Sequence, residues 1–213
     1  NSVAYWDQVF ETENPWAYDS PYEQHKYEQT LDLVPRDKPR RGIELACAEG
    51  HFTAQLAAVV DDLLATDISQ TAVSRAAARC RASGHDHVKF DQLDFFNNPL
   101  PGMFDLIVCS EVLYEAGTRE KLDQIAHNIA THLTPDGVLV TAHIIEVTEE
   151  RDRSGFDWGG VFGVKSITDA LLATGELQLE VEIECELYRV QRYRRTKSPL
   201  AKDVRHEEMG SAP

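Results

Sequence analysis

The stretch Arg41-Gly42-Ile43-Glu44-Leu45-Ala46-Cys47-Ala48-Glu49-Gly50-His51-Phe52-Thr53 decides the fold. Ile43 and Leu45 end a short apolar run, and three of the smallest side chains follow. After Gly50 the apolar residues Phe52, Leu56, Ala57 and Val60 recur at helical spacing. The pattern is a strand, a small-residue loop and the start of a helix. A turn so stripped of bulk lets the backbone approach a ligand closely, with amides at the helix N-terminus available to it. It predicts a nucleoside-binding loop; the alternative is a plain βαβ unit whose small residues only allow close packing.

Charge narrows the choice of nucleoside. A phosphorylated cofactor calls for a glycine-rich turn without acids, often with a lysine. Here Glu44 flanks the loop and Glu49 lies within it, so a pyrophosphate is repelled and a cation favoured. The apolar run Leu63-Leu64-Ala65-Thr66 closes on Asp67, about 20 residues after the loop, where a carboxylate can take both ribose hydroxyls. Ile68 follows it on the same edge. Adenosine joined to a sulfonium amino acid, S-adenosylmethionine, satisfies these features, with S-adenosylhomocysteine as its product.

The chain has 213 residues, enough for one α/β domain with a full core. With 42% hydrophobic residues it shows no long charge-free apolar run to span a membrane. The N-terminus lacks the basic start and apolar core of a secretory signal, and the missing initiator Met points to a trimmed or excised segment or to a removed tag. There are 21 Lys and Arg against 36 Asp and Glu, a net charge of -15. Such a surface disfavours nucleic acid and anionic membranes, and favours small-molecule or cationic acceptors. Cys47, Cys80, Cys109 and Cys185 are scattered, with no C-x-x-C pair and no histidine at ligand spacing, so no metal site is expected and the reducing cytoplasm is the default compartment.

Residues 1–40 are expected to form a helical cap. Val3, Trp6, Val9 and Phe10 share one helical face; Asn14-Pro15 breaks the helix, and Trp16 to Pro21 is an aromatic-rich turn. A second helix runs from about Tyr22 through Tyr27 and Leu31 to Val34, before Pro35. The many aromatics ahead of the cofactor loop, among them Trp16, Tyr18 and Tyr22, fit either a lid that dries the site or a fixed cap. Residues 41–195 form the core, and 196–213, poor in apolar residues, are expected to be a disordered tail or linker.

Within the core, Ser69 caps a helix ending near Ser83-Gly84. Val88 to Leu93 form a third strand closing on Asp94-Phe95-Phe96, where a carboxylate and an aromatic can take an adenine's amine and cover its face. An Asx turn with core phenylalanines is the alternative there. Phe104-Asp105-Leu106-Ile107-Val108-Cys109-Ser110 reads as a strand buried on both faces. A helix from about Arg119 to Thr131 and a strand Val138 to His143 complete the alternation, which places ligands outside the carboxyl ends of the strands. Glu111, Tyr114, Glu115 and His143 fall on that edge. Residues 144–165, with Asp157, Trp158 and several glycines, read as an ordered substrate loop. A short helix over 166–174, a strand alternating from Leu177 to Cys185, and a returning strand through Tyr188, Val190 and Tyr193 end the domain.

This order of motifs resembles the class I S-adenosylmethionine-dependent methyltransferases. More narrowly, Asn14-Pro15-Trp16-Ala17-Tyr18, the run Tyr22 to Tyr27, and Phe104 to Val108 followed by Ser110-Glu111-Val112-Leu113-Tyr114 resemble the nodulation-factor N-methyltransferases, the NodS family, over most of residues 6–194. The resemblance implies a Rossmann-like α/β fold, a seven-stranded mostly parallel sheet with an antiparallel last strand. It also implies Glu44 and the loop Ala46, Cys47, Ala48 and Gly50 under the methionine end, Asp67 on the ribose, Asp94 with Phe95 at the adenine, and Ser110 beside the cofactor. Ala46 and Ala48 depart from the family's usual glycines. Members differ in acceptor, so methyl transfer carries over to an N or O acceptor while the sugar does not.

Methyl transfer from a sulfonium is catalysed mostly by positioning and drying. A protonated acceptor also needs a base, and the candidates are, in order, Glu111, His143, Asp157 and Glu115. Each has a structural alternative: a helix cap, a strand-end histidine, or two solvated loop charges. Trp16, Tyr18, Tyr22, Tyr114 and Trp158 are the candidate acceptor walls. Two competing classes are an inactive nucleoside-binding scaffold and a short-chain dehydrogenase. The latter lacks its G-x-x-x-G-x-G turn, and Tyr22 and Lys26 precede the cofactor loop. Asp67→Ala is expected to weaken cofactor binding, measured calorimetrically, by about 1–3 kcal/mol; unchanged affinity removes Asp67 from the site. Glu111→Gln is expected to slow turnover while leaving cofactor affinity nearly intact, and a wild-type rate rejects Glu111 as base.

Overall fold

The central strands set the architecture. In the computed structural model, which describes residues 2–37 and 39–196, Phe104, Leu106, Ile107, Val108 and Cys109 are all at most 1% exposed. A strand apolar on both faces must lie inside a parallel sheet between two helical layers. It does: seven strands run in the order β3-β2-β1-β4-β5-β7-β6. They are β1 (Arg41–Leu45), β2 (Asp62–Asp67), β3 (Lys89–Gln92), β4 (Phe104–Ser110), β5 (Leu133–Ile144), β6 (Leu177–Glu184) and β7 (Tyr188–Arg195). Strands β1 to β5 pair in parallel, and β7 inserts antiparallel between β5 and β6. The chain winds outward from β1 to β3, then restarts at β4 on the other side of β1. The ends of β1 and β4 therefore meet at a topological switch point, where crossovers leave a crevice.

The helices are α1 (Val3–Val9), α2 (Pro21–Asp32), α3 (Thr53–Leu56), α4 (Gln70–Ala82), α5 (Arg119–Thr131) and α6 (Val164–Ala173). Their starts follow local chemistry. Ser20, Ser69 and Thr118 each accept an N-terminal amide through the side-chain oxygen, and Pro21 occupies the first turn of α2. Helix α4 stops at Gly84, at φ +80°, with His85 N–H donating to Cys80 O over 2.9 Å. Helices α5 and α6 pack on one face of the sheet with Ile43, Leu45 and Ile107; Leu33, Leu56, Val60 and Ala76 cover the other. No helix among the described residues is long and apolar enough to cross a membrane.

Three expectations are modified. The helix after the loop is one turn long, because Val59 N–H bonds back to Leu56 O in a tight turn that delivers Val60 against Gly42. The strand expected to start at Val138 begins at Leu133 instead, and residues 134–137 are a bulge inside β5, where Asp136 takes φ +66° and the register on β4 jumps from Leu133 opposite Phe104 to Val138 opposite Leu106. Loop 145–163 is ordered as expected, but as a bridged arm. Phe156 and Ile145 share a hydrogen bond of 2.8 Å, and Glu150 takes two 2.8 Å bonds from Arg189 of β7. Of the expected tail 196–213, residues 197–213 lie outside the described residues, and Thr196 donates its amide to Glu176 O over 2.8 Å.

Gly50 shows where a missing side chain matters. It has φ +77°, and a Cβ there would stand 2.7 Å from Ala76 Cα of α4. Gly84 has a similar φ but open space around it. Gly50→Ala is therefore expected to destabilise by about 2–4 kcal/mol, strain plus overlap, and Gly84→Ala by only about 1–2 kcal/mol. Urea unfolding of both variants checks the difference, and equal losses would contradict it.

Candidate functional site

A cavity of about 640 Å³ opens over the carboxyl ends of the parallel strands, roofed by the N-terminal segment. That volume suits a ligand of cofactor size plus a small partner. Nine of the expected cofactor residues line it: Glu44, Ala46, Cys47, Ala48, Asp67, Ile68, Asp94, Phe95 and Ser110. So do Trp16, Tyr18, Tyr22, Tyr114 and Trp158, together with Glu111 and Glu115. Gly50, His143 and Asp157 are not in its wall.

The loop after β1 is bent by two alanines in the left-handed region, Ala46 at φ +61° and Ala48 at φ +47°. Alanine is strained there. Asp67 holds the bend: its Oδ2 accepts the Ala48 amide at 3.0 Å and its Oδ1 the Ser69 amide at 2.9 Å. Cys47 N–H goes to Thr66 O and Gly50 N–H to Cys47 O. The amides of Cys47, Ala48 and Gly50 are thus all engaged within the fold. Gly50 serves packing against α4 rather than ligand contact.

Charge in the site also departs from the sequence reading. Glu49 is 2% exposed, but its Oε1 pairs with Arg75 at 2.5 Å and its Oε2 accepts the Asn14 amide at 2.9 Å. It is neutralised and ties the cap to α4. The acid left for a cation is Glu44, whose buried Oε2 makes no hydrogen bond among the described residues. Burial raises its pKa to about 8. Burial likewise lifts Asp67 to about 6, against the opposing amides of Ser69 and Ala48. Ser110 Oγ and Tyr18 Oη are also buried with no hydrogen-bond partner among the described residues. Burial pushes the Tyr18 phenol far up, so it stays protonated and keeps an O–H to donate in a hydrogen bond. Asp94 forms the Asx turn, with Oδ1 taking the Phe96 amide and Oδ2 the Asn97 side chain, while Phe95 is 5% exposed beneath it. The segment thus forms the Asx turn and also lines the cavity.

Among the base candidates, His143 is fully buried, and its Nε2 accepts the Leu113 amide at 3.4 Å. Burial holds its pKa near about 3, so it stays neutral behind the turn Leu113–Ala116. The expectation that it serves as base is corrected to a support for that turn. Asp157 is exposed and outside the cavity wall. Glu111, at φ +52°, does face the cavity, with Oε1 3.3 Å from Lys26 Nζ. Burial raises its carboxyl, and Lys26 opposes that rise. Trp158 reaches the site because its amide is held by Glu146 Oε2 at 3.1 Å, which sets its ring 5.4 Å from Tyr114.

Sequence reasoning missed the inner face of α2. Glu23, Lys26, Tyr27 and Thr30 all line the cavity, and Lys26 is only 4% exposed. Their spacing of three, one and three was the available signal, a polar stripe on one helical face.

A family model described as nodulation protein S (NodS) matches residues 5–184. Nodulation protein S of Sinorhizobium fredii (strain NGR234) is 31% identical over 173 residues, covering 80% of this chain and 74% of that protein. Its counterpart in Rhizobium tropici is 30% identical over 181 residues, 82% of this chain and 72% of that protein. Among solved structures, the N-methyltransferase NodS from Bradyrhizobium japonicum WM9, in complex with S-adenosyl-L-homocysteine, superposes with a TM-score of 0.80 at 26% identity, covering 92% of this chain and 100% of that one. With the seven-stranded sheet, the switch-point cavity and a match over nearly the whole core, the chain belongs to the NodS family.

Proposed function

We propose that this S-adenosylmethionine-dependent methyltransferase holds its cofactor between Glu44, the bend at 46–48, Asp67, Asp94 with Phe95, and Ser110, and transfers the methyl group to an amine of a small molecule. The observation that carries the cofactor reading is the partnerless Glu44 oxygen, buried in a cavity whose other acid at the loop, Glu49, is already paired. A buried carboxylate without a partner is costly, and a cationic amino-acid end relieves it. S-adenosylmethionine supplies a methyl group activated on a sulfonium. The chain's own residues bind, dry and align. Trp16, Tyr18 and Tyr22 of the N-terminal segment cover the opening, and we read residues 1–40 as that cover on the core 41–195. Tyr114 and Trp158 form the wall against which the acceptor rests, and Glu111 takes its proton.

An amine is favoured over a hydroxyl because the cavity carries Glu23, Glu111 and Glu115 among aromatic faces that attract ammonium groups, while its two lysines are already engaged, Lys26 with Glu23 and Glu111 and Lys121 with Asn97. The solved relative is named an N-methyltransferase. The net charge of -15 supports a small-molecule acceptor rather than nucleic acid, and the four free cysteines fit a reducing cytoplasm. In a screen of paired amine and alcohol acceptors, methylated amines are the expected products; methylation of alcohols alone would overturn the amine reading.

Cofactor binding is expected to depend on pH through Glu44. With its pKa at about 8, the side chain is mostly protonated at pH 7. A bound cation favours the ionised form, so binding expels about one proton at pH 7, and affinity climbs as pH rises to 8 before levelling. Titration calorimetry in two buffers of different ionisation heat measures this release. It should vanish in Glu44→Gln; release that persists there would take Glu44 out of the cofactor site.

A further inference from the structure

Lys26 is the one residue of α2 whose charge is buried against the catalytic edge. Its Nζ lies 3.0 Å from Glu23 Oε1 and 3.3 Å from Glu111 Oε1. The rings of Tyr22 and Tyr188 stand 5.0 and 5.7 Å from it. A buried ammonium so enclosed keeps its charge only because anions and ring faces replace water. Glu111, in turn, is fixed in a strained left-handed conformation by its amide, which donates to Ala142 O at 2.8 Å. Its Oε1 is held by Lys26, and its Oε2 makes none of the described hydrogen bonds while the residue faces the cavity. One oxygen is anchored and the other is available.

We propose that Lys26 is a positioning residue: its ammonium keeps the Glu111 carboxylate ionised and turned toward the acceptor, so that the cap helix sets the pH at which the acceptor can be deprotonated. The inference rests on Glu111 being the base. An ammonium acceptor has no lone pair until an N–H proton leaves. That proton bonds to Glu111 Oε2, the electron pair stays on nitrogen, and it then forms the N–C bond as the C–S pair departs with sulfur. The other groups around Glu111 work against its ionisation or are neutral: Glu23, Tyr22 and Tyr27 on α2, Tyr114 with Glu115 beside it on the turn after β4, neutral His143 on β5 and Tyr188 on β7. Lys26 is the only cation in this set.

The test follows the carboxyl itself. In ligand-free protein labelled with ¹³C at the glutamate carboxyls, the Glu111 resonance is identified by its loss in Glu111→Gln. In Lys26→Met its titration midpoint should rise by about one pH unit or more, with Lys26→Arg close to wild type. The acid limb of the kcat/KM profile should rise by the same amount, with activity recovering at high pH. An unchanged midpoint in Lys26→Met overturns the proposal whatever the change in Tm, since a purely structural staple would lower Tm alone. A midpoint that moves while the acid limb stays also overturns it. Should Lys26→Met not fold, Lys26→Gln carries the same comparison. A wild-type rate in Glu111→Gln is a separate result that rejects Glu111 as base, so the two failures are distinguishable.

Discussion

One carboxylate holds the site in shape. Asp67 ends β2 with both oxygens bonded to backbone amides, one from the loop after β1 and one from the start of α4. Each bond to an ionised acceptor is stronger than a neutral one. Together they hold Ala48 at a backbone angle that it would otherwise avoid, and they bring the ends of β1 and β2 to a common level. The cavity wall from Ala46 to Ile68 depends on that clasp, and the N-terminal segment then locks onto it through Asn14 and Glu49.

The electrostatics divide into paired and unpaired acids. Glu49 with Arg75, Glu150 with Arg189, and Glu180 with Arg192 and Arg194 are structural pairs that join separate parts of the chain. Glu44 stands apart as a buried acid with no cation beside it and with Oε2 unbonded among the described residues, at the point where the two halves of the sheet diverge. A protein can carry such a group because the net stabilisation elsewhere offsets it, and its persistence points to ligand chemistry. Glu111 lies between these cases, with one oxygen paired and the other facing the cavity.

Most of the fold was legible because its signals are local or periodic. The unbroken apolar run of β4, the alternation of β6, the caps at Ser69 and Gly84, and the small loop at 46–48 each declare themselves over a few residues. The acids at 44 and 49 look equivalent in sequence; only the approach of α4, with Arg75 at a separation of 26 residues, distinguishes them. The inner face of α2 was missed for the same reason. Its Lys26 meets Glu111 across 85 residues, and a lysine on a polar stripe ordinarily signals solvent. His143 was placed on the correct edge, yet which way a strand-end side chain turns depends on the turn at Leu113–Ala116, which has no sequence signature of its own.

The two alanines at positive φ have a consequence for ligand capture. A glycine pair at those points would let the unliganded loop wander among many backbone states, and a ligand would have to freeze them on arrival. Methyl groups at Ala46 and Ala48 remove much of that freedom in advance. If the cofactor sits on this loop as proposed, it meets a segment already ordered, and the strain borne by the resting protein is returned as a smaller entropic penalty on association.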